Sequence, residues 1–158
     1  MSTKRTMLAA ILFCPVLGVT ICKNHPLHSS WPSVRDWSAL NQSTGGVLIK
    51  TEPVASSCYN ASSFASTTSC DEIQKNWFYS AFHAEQPESI GYSYWANNSC
   101  VPPNDYAYDK GQQCELGGLP KYVLNATTAE QIATAAKWAS SQNIRIVVKG
   151  TGHDLNGR

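Results

Sequence analysis

The sequence predicts an α+β fold in two unequal parts, an irregular disulfide-stapled lobe followed by one strand–helix–strand unit. Three observations lead there. Residues 23 to about 115 carry no sustained hydrophobic period and are rich in Ser, Thr, Asn, Pro and aromatics. Four cysteines, Cys58, Cys70, Cys100 and Cys114, fall inside that stretch. From Gly117 onward the pattern turns regular, with two β-branched or aromatic runs on either side of a capped helical segment.

The first element is a targeting segment. Lys4 and Arg5 give a positive start, an apolar stretch runs from Met7 to about Ile21, and small residues near Gly18 and Thr20 suit cleavage. The stretch is short for a membrane span, so residues 1–21 read as a secretory signal peptide and no membrane partner is expected once it is removed. Cleavage leaves roughly 137 residues, one ordinary domain's length. The charge is balanced, with 12 Lys+Arg against 11 Asp+Glu and a net +1. No basic cluster offers the positive face that a phosphate backbone requires, which excludes nucleic acid as a partner.

An even set of cysteines in a secreted chain predicts two disulfides. Three connectivities are open, and the short pairings Cys58–Cys70 and Cys100–Cys114 are preferred. A zinc site would want a Cys-x-x-Cys pair, which the sequence lacks, so no metal is expected. Asn41, Asn60, Asn97 and Asn125 each open an Asn-x-Ser/Thr triplet, consistent with a secreted, extracellular glycoprotein.

Within the lobe, "SCDEIQKNWFYSAF" (69–82) predicts a helix starting at Ser69 or Asp71, with Ile73, Trp77 and Phe78 on one face. Pro53 and the pair Pro102 and Pro103 demand loop or edge. Tyr92, Tyr94, Trp95, Tyr106 and Tyr108 are expected to pack a small core around the disulfides. The rival for these rings is a glycan-stacking surface.

Residues 122–124 predict a short strand, and 127–143 a helix whose Thr127 and Glu130 have capping-box spacing. Ile132, Ala135, Ala136 and Ala139 form its packing face, and Asn143 terminates it. Ile144–Val148 then predicts a second strand, parallel to the first through a right-handed crossover. Ligands of such units sit at the strands' carboxyl ends, where this chain carries "KGTGHDLNGR". Its glycines can present backbone N–H groups to an anion. The spacing is neither that of a dinucleotide fingerprint nor of a Walker loop. By residue type alone, His153 reads as a loop histidine in an ordinary hydrogen bond.

"PKYVLNATTAEQIATAAKWASSQNIRIVVKGTGHDLNGR" (120–158) resembles the opening of the PCMH-type FAD-binding domain of vanillyl-alcohol-oxidase-type flavoproteins, among them the berberine-bridge-enzyme-like and fungal isoamyl-alcohol-oxidase-like secreted oxidases. "WSALNQSTGGVLI" (37–49) and the Trp77 region resemble the amino-terminal part of secreted fungal members with less specificity. The resemblance implies that FAD is the cofactor. His153 matches the histidine that often bonds covalently to the flavin's 8α-methyl group. Lys149, Gly150, Thr151, Gly152 and Asp154 match the loop that wraps the pyrophosphate, and Asn156, Gly157 and Arg158 continue it. Glycine lets backbone approach a pyrophosphate closely, and neutral imidazole is a competent nucleophile. Many relatives carry Arg-Ser-Gly-Gly-His where this chain has Lys149-Gly150-Thr151-Gly152-His153.

The resemblance further implies substrate dehydrogenation by hydride transfer to flavin and reoxidation by O2 to hydrogen peroxide. The partners are then a small-molecule substrate and O2. The division expected is signal peptide 1–21, lobe 22–115 and the start of the FAD-binding domain 116–158. The catalytic base is unknown, the chain reads as the front of a longer oxidase, and it is expected to be inactive alone. Two rivals remain: a cofactor-free glycan- or surface-binding module on the Tyr92–Tyr108 aromatics, and a hydrolase using His153 and Asp154. The second lacks any nucleophile motif such as Gly-x-Ser-x-Gly.

Overall fold

The computed structural model describes residues 22–150 and Gly152. The expected signal segment 1–21 lies outside them, and no helix among the described residues is long and apolar enough to cross a membrane. The elements run α1 (Val34–Ser43), β1 (Leu48–Lys50), α2 (Cys70–Asn76), α3 (Ser80–Glu85), β2 (Tyr122–Leu124) and α4 (Ala129–Ser141), with short 3-10 turns at Val54–Cys58 and Ser93–Ala96. The fold is mixed α and β, with two disulfides and one small sheet.

Helix α1 lies in the stretch where no period was legible. A reciprocal cap starts it: Ser33 Oγ accepts from the Asp36 N–H, and Asp36 Oδ2 accepts from the Ser33 N–H at 2.8 Å. Trp37 and Leu40 are its buried residues. It closes on Thr44, whose hydroxyl donates back to the Leu40 carbonyl at 2.9 Å, and on Gly45 and Gly46, both at positive φ. That turn aims the chain into β1.

Strand β1 pairs antiparallel with β2, placing Leu48 opposite Leu124, Ile49 opposite Val123 and Lys50 opposite Tyr122. The expected 122–124 strand is therefore present, with its partner in the amino-terminal lobe instead of in 144–148. The second strand is corrected: only Ile144 bridges in parallel, to Asn24, and 145–149 has no sheet partner among the described residues. Val147 and Val148 are 63% and 88% exposed. β-Branching favours extended backbone but supplies no partner, and strand pairing is decided by neighbours.

The 69–82 helix is also corrected, because it is two helices. Ser69 caps α2 through its hydroxyl, accepting from the Glu72 N–H. The chain then turns extended at Tyr79 before α3. The break buries Trp77 at 8% exposure and turns Phe78 out at 69%. In α4 the capping box sits one residue later than its spacing suggested, on Thr128 and Gln131. Its packing face is rotated: Ala139 is buried and Trp138 half-buried, while Ile132 and Ala136 are exposed. Asn143 ends the helix as expected, at φ 54°, with the Ile144 N–H donating to the Ala139 carbonyl at 2.8 Å.

Two clusters form the interior. In one, Trp37 stacks on Tyr122 (4.0 Å, 18°) and tilts against Trp138 (4.6 Å), joining α1, β2 and α4. In the other, Val54, Ala55, Ile73, Trp77 and Val101 pack with Phe82 and Tyr108 against Cys58 and Cys100. Cys58–Cys70 and Cys100–Cys114 are bonded as preferred from the sequence, and each contributes about 3 kcal/mol by restricting the unfolded chain. Of the aromatics expected in this core only Tyr108 packs there; Tyr92, Tyr94, Trp95 and Tyr106 are exposed. The backbone of Trp95 and Ala96 lies directly against Gly117 and Gly118, leaving the Tyr94 and Trp95 rings outward.

Candidate functional site

The described part of the glycine-rich loop comprises Lys149, Gly150 and Gly152. Thr151, His153, Asp154, Asn156 and Gly157, and with them the proposed flavin link, lie outside the described residues. Among the described residues nothing comes within 4 Å of a Cβ built at Gly150. Gly152 adopts φ +83°, a left-handed conformation that glycine takes without strain. A loop with an uncovered backbone face and a left-handed glycine can bring N–H groups close to an anion.

Beneath it, Lys149, Gly152, His83, Phe78, Ala84 and Tyr92 are among the residues that line a cavity of about 120 Å³. Ligand pockets run to roughly 300 Å³ and more. The cavity is therefore a cleft beside the loop, too small for a three-ring cofactor. Its inner wall is built by α3. His83 is 3% exposed, with Nε2 at 2.6 Å from the Trp77 carbonyl and Nδ1 at 2.7 Å from Ser89 Oγ. A carbonyl can only accept, so Nε2 carries the proton, and neutral Nδ1 accepts from the serine hydroxyl. Trp77 meets the imidazole edge-on at 4.8 Å.

Burial pushes the His83 pKa below its ordinary 6.5, the Trp77 carbonyl opposes the shift, and the Lys149 charge adds to it. The unfolded chain therefore takes up this proton first as pH falls, so the stability that neutral His83 contributes is present above about pH 6.5 and is lost on acidification toward the lower folded value. The urea midpoint should drop between about pH 7.5 and pH 5 more in the native protein than in His83→Gln, and equal drops would contradict this assignment.

Lys149 enters the same wall. Its ammonium donates to the carbonyls of His83 (3.0 Å), Gln86 (2.7 Å) and Ser89 (2.8 Å). Desolvation lowers its pKa and Glu88 counters that; three carbonyl acceptors also favour the ammonium, which stays charged at neutral pH. Neither His83 nor Ser89 was singled out in the sequence. They are more than 59 residues from Lys149, and no local period signals a contact across such a separation. Tyr92, Tyr94 and Trp95 form an exposed row, but adjacent rings tilt by 47° and share no common plane for an extended glycan. Among the described residues no group of three or more His, Cys, Asp or Glu could hold a metal.

No family model matches the sequence. Individual relatives do. The FAD-linked oxidoreductase apf9 of Gibberella fujikuroi is 40% identical over 142 residues, covering 90% of this chain and 23% of that protein. The VAO-type flavoprotein oxidase VAO615 of Thermothelomyces thermophilus is 39% identical over 152 residues, covering 90% of this chain and 26% of its own length. Among solved structures, the VAO-type flavoprotein MtVAO615 from Myceliophthora thermophila C1 superposes with a TM-score of 0.74 at 38% identity, over 84% of this chain and 24% of that one. MtVAO713 from the same organism gives 0.72 at 38%. The chain is thus a homologue, in sequence and in fold, of the FAD-linked oxidoreductases of the VAO type. It spans about a quarter of the length of the curated relatives it matches.

Proposed function

We propose that this chain is the amino-terminal part of a secreted FAD-dependent oxidoreductase and that its 149–158 loop holds the flavin. The supporting observation is the coincidence of two independent features: homology to FAD-linked oxidoreductases over 90% of the chain, and a glycine loop in which Gly150 leaves backbone uncovered among the described residues and Gly152 takes a left-handed turn. Gly150 and Gly152 fit that duty. Thr151, Asp154, Asn156 and Gly157 would continue the cradle, and His153 would attach covalently to the flavin. FAD held there would supply the redox chemistry, namely hydride acceptance from a small-molecule substrate and reduction of O2 to hydrogen peroxide. The protein's share is to hold and orient it. The α3 wall and Tyr92 border the cleft beside the loop.

Secretion and glycosylation belong to the same reading. Asn60, Asn97 and Asn125 are exposed acceptors, whereas half-buried Asn41 uses its side-chain oxygen to accept from the Leu48 N–H at 2.9 Å.

The test is expression from the complete reading frame in a secreting host. The expected product retains flavin in the pellet after acid precipitation, and His153→Ala releases it to the supernatant. A folded, disulfide-bonded product that never carries flavin would overturn the reading.

A further inference from the structure

We propose that Lys149 is a positioning residue that fastens the start of the flavin loop to the amino-terminal lobe, and that it does not touch the cofactor. This rests on the flavin reading of the loop. An ammonium has three N–H donors, and the three carbonyls of His83, Gln86 and Ser89 take all of them. No donor remains for a phosphate. The acceptors are the kind a helix end leaves orphaned: His83 lies in the last turn of α3, Gln86 caps it and Ser89 follows, so a cation there also meets the negative end of the helix dipole.

The position on the chain gives the contact its consequence. From Arg145 to Val148 no backbone or side-chain hydrogen bond ties the described segment to the rest of the protein. After the Ile144 bridge, Lys149 is the next fixed point before the glycines. Gly152 folds back over the lysine stem, where a Cβ would sit 3.0 Å from Lys149 Cε. Gly152 therefore rests on a side chain whose far end is pinned in the lobe. Ser89 links both halves of the device, since its carbonyl accepts from Lys149 and its hydroxyl donates to buried His83. Arginine would not substitute, because a planar five-donor fork does not fit a three-carbonyl cage built for a compact ammonium.

Three readouts test this. In the native chain, an amine-reactive ester should label Lys149 at least tenfold more slowly than exposed Lys110 or Lys137, and labelling at their rate would overturn the proposal. In Lys149→Met, which keeps the stem under Gly152 and removes the donors, amide hydrogen exchange should accelerate about tenfold over 145–152 and 83–91 and stay unchanged in α1; unchanged exchange at both segments would overturn it. In the flavin-loaded full-length oxidase, Lys149→Met should at least halve the visible circular dichroism of the flavin while Lys149→Arg fails to restore it, and an unaltered flavin spectrum would overturn the positioning role. The first two readouts need no flavin. A protected Lys149 in a protein that never takes up flavin therefore sinks the flavin reading and leaves the tether standing.

Discussion

Gly117→Ala is expected to cost about 3 kcal/mol and to lower Tm by ~10 °C. Two effects add. Gly117 sits at φ +53°, where an L side chain costs roughly 1–2 kcal/mol. A Cβ there would also run into the Ser99 side chain and lie 2.6 Å from the Ala96 carbonyl oxygen. That oxygen is backbone held in the 93–96 turn, so it cannot swing aside as a flexible side chain would. Ser99 is buried and its carbonyl accepts from the Glu115 N–H at 2.9 Å, which ties the strain to the neighbourhood of the Cys100–Cys114 bridge. Gly91→Ala is the control, with nothing within 4 Å of its Cβ and negative φ. Thermal unfolding of both variants checks the argument, and equal midpoints would refute it.

The second large effect is at Trp77. The indole is 8% exposed inside the disulfide-bounded cluster and donates to Asp105 Oδ2 at 2.6 Å. Asp105 is itself buried, and among the described residues the only other donor to its carboxylate is the backbone N–H of Ala107, at 2.8 Å. Truncation therefore opens a cavity and strips a carboxylate of its stronger donor. Trp77→Ala should destabilise by about 4 kcal/mol or more. Trp77→Phe keeps most of the volume and isolates the hydrogen bond, at roughly 2 kcal/mol. A double-mutant cycle with Asp105→Ala should return a coupling of about 1.5–3 kcal/mol by urea denaturation, whereas additivity would mean the short indole–carboxylate contact contributes nothing.

The sequence carried the local signals and missed the long-range ones, for physical reasons visible residue by residue. Ser69 as a cap, Asn143 as a terminator, the 122–124 strand and both disulfide pairings follow from spacing and residue type, and they stand. Helix α1 has no legible period although Ser33 and Asp36 hold a capping box, because Trp37 and Leu40 alone are too few to announce one. The partner of β2 could not be read, since β1 lies more than seventy residues earlier in a stretch that looked irregular. The split between α2 and α3 comes from tertiary packing: burying Trp77 against Val101 and Asp105 outweighs continuing the helix through Phe78. The resemblance points to the loop as the flavin site, while the attachment of Lys149 to the α3 end has no sequence signature.

Whether the histidine loop binds flavin as proposed is decided by the mass of one peptide. Trypsin cuts after Lys149 and Arg158, so digestion of the flavin-loaded protein isolates Gly150–Arg158 with His153 as its sole histidine. That peptide is expected to carry a covalently bound flavin, with fragment ions placing the modification on His153. Recovery of the same peptide only at its unmodified mass, from a correctly folded secreted protein, would contradict it.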